Sequence, residues 1–366
     1  MYPVASDAVK NGGDCMSTTA LTDDRGELNF SSFSLYRNAI YGVAAIWIVL
    51  FHGIILPKLE IDPSLSFFAE TCQLGNVSVD IFLLLSGIGL YFAYSKKPKL
   101  GSFYYKRVVR VYLPYLLIAM PFFVYVCFFL QNNNIGLFFQ ALFTVNYWTG
   151  QRGPIEFWYV SAILVFYLIY PLIYKFIFYK DKNALLRTAI LVTLSIALCF
   201  ILFFTAPKVF SFFDKVLPRF TVFIIGCYMG RPVKQKKKFS VLVLIASVIV
   251  VAAAYPLYAR GGLSGIWRRY YGSLTGIALT FMLAQMFVVL SKIKLDKFFA
   301  FFGAFSLEIY IATIGARTMF YISPFYGGNI FVRYLQISIV AMLAAYLISL
   351  LEKPLIKLLM KPVQKK

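Results

Sequence analysis

The chain has 366 residues, 60% of them hydrophobic, 19% aromatic and 14% charged. A soluble domain carries about 45–50% apolar and about 25% charged residues. This much apolar surface excludes a water-soluble core and points to a polytopic integral membrane protein. The net charge of +21 does not indicate nucleic acid, because Lys and Arg sit between apolar runs rather than on one face.

The chain begins with a polar stretch. Residues 1–34 lack the apolar region of a cleavable signal and read as a disordered tail. Residues 35–358 then form one membrane domain, and 359–366 a basic cytoplasmic tail. The expected fold is all-α, a polytopic transmembrane helical bundle. A span needs roughly 20 mostly apolar residues. About ten segments qualify: 38–57, 78–95, 111–130, 157–178, 185–205, 216–231, 239–258, 270–291, 298–319 and 330–351. No internal repeat is visible. The five cysteines form no CxxC pair and there is one histidine, so no metal set is expected.

Charge fixes the expected orientation. Lys and Arg collect after spans two, four, six and eight and in the tail, as in Lys96 to Arg110 and Arg231 to Lys238. The alternate loops are poorer in positive charge. The positive-inside rule then places both termini in the cytoplasm.

The first span carries His52, the only histidine, in YGVAAIWIVLFHGIILP. Running outward from the cytoplasm, it places His52 roughly 20 Å from its inner end at 1.5 Å per residue. An imidazole buried among apolar side chains is costly unless it is bonded. It is either a structural hydrogen-bond donor or a general base, since its ordinary pKa suits proton transfer near neutrality. The loops 58–78 and 131–156 would lie on the same outer side.

In the second span, SVDIFLLLSGIGLYF, Asp80 begins the helix. It is a first-turn acid favoured by the helix dipole, or an acid that orients His52 or a substrate hydroxyl. Ser86 and Gly87 fit close helix packing. At the start of the third span, YKRVVRVYLPYL places Lys106, Arg107 and Arg110 within one turn, Lys106 and Arg110 sharing a face. These residues either anchor the helix to anionic lipid or clamp the phosphates of a cytoplasmic ligand. Glu156 precedes Trp158 and Tyr159 on the outer side, either as a solvated acid or as a group gripping a sugar hydroxyl. Gly226 and Gly230 form a GxxxG pair. Glu308 lies inside an apolar run and needs a partner. Arg317 is a candidate, although nine residues put the two on opposite faces of one helix.

In order, VAAIWIVLFHGIILP, SVDIFLLLSGIGLYF, YKRVVRVYLPYL, FWYVSAILVFYLIYPL, RFTVFIIGCYMG, FGAFSLEIYIA and LEKPL resemble the acyltransferase 3 family over about residues 35–358. These are membrane enzymes, usually of about ten spans, that move an acyl group to a glycan hydroxyl. The resemblance implies that His52 is catalytic and that Arg107 and Arg110 handle acyl-coenzyme A. It matches the family's serine-glycine to Ser86 and Gly87. Three positions depart from the family pattern. Tyr41 stands where a basic residue opens the first motif, with Arg37 one turn earlier. Ile163 stands where many members have Glu, and Thr313 where many have a second histidine.

The resemblance implies an O-acyltransferase in the cell (plasma or inner) membrane, acting on a surface polysaccharide or a lipid-linked glycan. Acyl-coenzyme A, most simply acetyl-coenzyme A, is the expected donor. His52 would act as general base, with Asp80 or Glu156 orienting the ring or the acceptor, and Lys106, Arg107 and Arg110 holding the donor. The expected partners are the glycan acceptor, the donor and the lipid bilayer, with no nucleic acid. The alternative is a transporter or flippase of a glycan or lipid intermediate, which the missing repeats and few intramembrane charges disfavour.

Overall fold

The structure, a computed structural model, describes residues 28–54, 66–130, 134–150, 157–322 and 330–364. Among the described residues there are helices and one isolated bridge, between Asn29 and Lys238, but no strand. The first helices are α1 (Ser31–Leu35), α2 (Arg37–Ile54), α3 (Ser66–Gln73), α4 (Ser78–Tyr94) and α5 (Leu100–Val124). Next come α6 (Ile135–Leu142), α7 (Trp158–Ile177), α8 (Ala184–Thr205), α9 (Pro207–Phe213) and α10 (Leu217–Lys234). The last five are α11 (Val241–Ala254), α12 (Gly265–Leu290), α13 (Leu295–Gly303), α14 (Ser306–Ile322) and α15 (Ile330–Gln364).

Over the described residues, every expected span but 298–319 falls on one helical run. Among the described residues, seven helical runs are long and apolar enough to cross a membrane, or eight if the bent α13–α14 pair counts as one span. The 18-residue helices α2 and α10 are not among them; α10 carries Arg219, Arg231 and Lys234, which lower its mean hydropathy. Segment 298–319, expected as one helix, is two, bent by 62° between Gly303 and Ser306. The bend sits where α13 presses on α2: a Cβ on Gly303 would come within 1.8 Å of the Asn38 carbonyl oxygen.

The tail boundaries also shift. Residues 28–34, expected in the disordered tail, join the fold. Phe30 and Phe239 exchange backbone bonds with Lys237 and Leu28, and Phe33 is fully buried. Residues 1–27 lie outside the described set. At the other end α15 runs through the expected basic tail to Gln364. The expected outer loop 58–78 is helical from Ser66 onward. Trp47 Nε1 donates to the Thr71 carbonyl at 2.7 Å and ties α3 to the far half of α2.

Local chemistry sets many of the helix ends. Asn134 Oδ1 accepts from the Leu137 amide at 2.9 Å, capping α6, and Ser240 does the same for α11 at 3.2 Å. Pro207 and Pro218 open α9 and α10, where a missing N–H costs nothing.

The bundle is centred on α4. In the apolar window of the α3–α4 run 72% of residues are buried, against 11% in α8 and 17% in α11. α8 turns Leu185, Leu194, Leu198 and Ile201 outward. A stripe of that kind suits acyl chains rather than water. α10 packs on α4 through the expected glycines. A Cβ on Gly226 would meet the Leu84 carbonyl oxygen at 2.3 Å, and one on Gly87 the Cys227 amide nitrogen at 2.6 Å. α2 and α14 pack against each other beside this core.

Candidate active site

A cavity of about 210 Å³ opens between α2, α4, α5, α7 and α14. Three arginines line it: Arg37 from α2, and Arg107 and Arg110 from α5. Ser86, Tyr41, Tyr159, Tyr167, Ser306 and Tyr310 supply hydroxyl groups, and no carboxylate is among its lining residues. Its volume is below the roughly 300–1,000 Å³ of sites that enclose a drug-sized ligand. It therefore suits one anionic group of a larger molecule.

Each arginine reaches the cavity for a local reason. Arg37 is one turn before Tyr41 on α2, donates to the Tyr41 hydroxyl at 3.2 Å and lies over that ring. Its guanidinium occupies space left by Gly89, where a Cβ would come within 2.5 Å of Arg37 Nη2. Arg107 and Arg110 lie three residues apart and so share a helix face. Lys106, which shares a face with Arg110 at four residues' spacing, is not among the lining residues. The Nε atoms of Arg37 and Arg107 are buried and have no acceptor among the described residues. The Ser86 side chain faces the Tyr159 and Tyr167 hydroxyls at the cavity wall. Guanidinium groups are suited to bidentate bonds with carboxylate or phosphate oxygens.

His52 lies at the other end of the same helix pair. Tyr41 and His52 are 11 residues apart, three turns and roughly 16 Å along α2, and therefore on one face. On α14, Tyr310 lines the cavity and Arg317 lies seven residues on, two turns and roughly 10 Å away. Arg317 Nη1 stands 3.2 Å from His52 Nδ1. The His52 ring is buried, with the Phe51 ring edge-on at 5.0 Å. The α2–α14 seam thus joins the arginine cavity to the histidine.

Asp80 does not meet His52. Among the described residues its oxygens accept from Arg219 Nε at 3.1 Å and Ser273 Oγ at 2.8 Å. Arg219 also donates to the Asn76 carbonyl and Oδ1 and to the Lys215 carbonyl, and it lies over Trp158. Every nitrogen of that guanidinium has an acceptor. The arrangement ties α4, α10 and α12 together. Glu156 lies outside the described residues. Glu308 is buried and faces a second buried carboxyl, Glu352 of the LEKPL segment on α15, rather than Arg317. Of the departures from the family pattern, Tyr41 is bonded to Arg37. Ile163 lines the cavity. Thr313 is fully buried and donates to the Ile309 carbonyl of its own helix.

The acyltransferase 3 family model, described as an acyltransferase domain, matches residues 38–351. The chain belongs to that family. It is an acyltransferase, moving a group other than an aminoacyl group, and an integral membrane protein. No curated protein and no solved structure matches it. The matched region contains Arg107, Arg110, His52 and Arg317 and omits Arg37 by one residue.

Sequence reasoning missed Arg317 as the partner of His52. The available signal was an arginine inside an apolar run, which calls for a partner without saying which.

Proposed function

We propose that the protein is a membrane O-acyltransferase that takes its acyl group, most simply acetyl, from acyl-coenzyme A. The acceptor is a hydroxyl of a surface polysaccharide or a lipid-linked glycan. We place it in the plasma or inner membrane with ten spans and both termini in the cytoplasm. The basic loops support this orientation, and the parallel run of α2 and α14 agrees with their places as first and ninth spans.

One observation carries the reading. The arginine cavity and the buried histidine stand at opposite ends of one helix seam. Arg37, Arg107 and Arg110 hold donor phosphate at the cytoplasmic end. The pantetheine arm runs along the seam and presents the thioester near His52. There His52 takes the proton of the acceptor hydroxyl, a role worth about 10²–10⁴ in rate. Asp80 holds helices rather than the ring, because its oxygens are already occupied. Membership of an acyltransferase family weighs against the transporter alternative.

The test is transfer by the purified protein in liposomes, supplied with labelled acetyl-coenzyme A and an oligosaccharide acceptor. Base-labile label on the sugar is expected. Transfer from other acyl donors but never from acyl-coenzyme A would refute the reading.

A further inference from the structure

Arg317 is the one charged group in hydrogen-bonding contact with the histidine, among the described residues. A guanidinium carries only donors and stays charged. In the pair at 3.2 Å, Nδ1 must therefore be the acceptor, and a neutral His52 holds its proton on Nε2. A base with its lone pair capped in this way cannot take a proton. Either the histidine is a structural residue, or the cap is released when substrate arrives.

The position of the pair decides between these. Both side chains project from the seam that leads to the arginine cavity, seven and eleven residues beyond cavity-lining Tyr310 and Tyr41. A thioester carried along that seam brings its carbonyl oxygen to the Arg317 end, and that oxygen is a better acceptor for Arg317 once negative charge develops on it.

Resting on the O-acyltransferase reading, we infer that Arg317 is a catalytic residue whose N–H facing His52 has two successive partners. In the empty site it caps Nδ1 and fixes the tautomer of His52. With donor bound it turns its N–H to the thioester carbonyl oxygen and releases Nδ1 as the base. The acceptor hydroxyl oxygen then bonds to the carbonyl carbon, its proton passes to Nδ1, and the carbonyl π pair moves onto oxygen beside Arg317. Collapse returns that pair, breaks the C–S bond and expels the thiolate. The Nδ1 proton goes to sulfur, leaving coenzyme A thiol, the ester and neutral His52.

The sequence offers a clean probe, since ¹⁵N-histidine labelling reports a single residue. The ligand-free wild type is expected to show the Nε2–H tautomer with Nδ1 as acceptor. In Arg317→Met the Nδ1 resonance should move as both tautomers become populated. The same variant should lose about 10²–10³ in kcat, the effect of removing one oxyanion donor, with KM for acetyl-coenzyme A within about threefold of wild type, because the arginine cavity is untouched. Arg317→Lys, which keeps the charge and one donor, should recover part of the kcat. A wild-type ring protonated on Nδ1 would overturn the proposal. So would wild-type kcat in Arg317→Met. The tautomer measurement needs no turnover, so it decides the pairing even if acetyl-coenzyme A proves not to be the donor.

Discussion

Asp80 and the cavity of Arg37, Arg107 and Arg110 both put charge inside the helical bundle, and the two regions treat it in opposite ways. Around Asp80 the account is closed. Its two oxygens meet Arg219 and Ser273, and Arg219 spends its remaining donors on Asn76 and Lys215. A network in which each charge is paired has nothing left for a ligand, and what it does is fix helices. Around the cavity the account is open: among the described residues there are three cations, no lining carboxylate, and buried Nε atoms on Arg37 and Arg107 with no acceptor. Leaving buried donors such as the Arg37 and Arg107 Nε groups without an acceptor is costly, and the cost is consistent with an anionic ligand that supplies one. Satisfaction separates Arg219 from the three cavity arginines; burial alone does not point to a ligand, since Arg219 is the most deeply buried of the four.

The largest effect that would sharpen this contrast is expected at the closed site. Asp80→Ala leaves Arg219 buried without its carboxylate, a change that costs about 3–5 kcal/mol. Thermal unfolding in detergent should show a large drop in midpoint, or little folded protein. An unchanged midpoint would mean that Asp80 is not a structural tie, and would revive it as a candidate near the chemistry. At the open site the expected effect is smaller and of another kind. Arg107→Ala with Arg110→Ala removes two like charges from a site with no partner carboxylate, so stability should hold or rise slightly. KM for acyl-coenzyme A should rise about 10–100-fold, at about 1.5–3 kcal/mol gross for charged hydrogen bonds, reduced by partial exposure of Arg110. A lost fold with unaltered KM would reverse the two assignments.

Much of this was legible from residue order because it rests on local physics. The apolar runs gave helices at each expected span, the GxxxG of α10 gave its packing on α4, and a lone imidazole in an apolar helix drew attention to His52. Arg107 and Arg110 were legible as a cluster, but their three-residue spacing, rather than the four-residue spacing of Lys106 and Arg110, proved to face the cavity. What could not be read were the cross-helix partners. Arg219 lies 139 residues from Asp80, and Arg317 lies 265 residues from His52. Helical phase says which way each side chain points on its own helix and nothing about which helix stands opposite. The 62° bend between α13 and α14 was hidden for a related reason: no proline marks it, and Gly303 is explained only by the α2 backbone against it.

The central claim is a division of labour along the α2–α14 seam, with binding at the arginine end and chemistry at the histidine end. The direct test measures acyl-coenzyme A binding and acyl transfer side by side on His52→Ala in liposomes. The division predicts a dissociation constant within about threefold of wild type and transfer reduced by at least about 10²-fold. Loss of binding together with transfer, or transfer that survives the substitution, would contradict it.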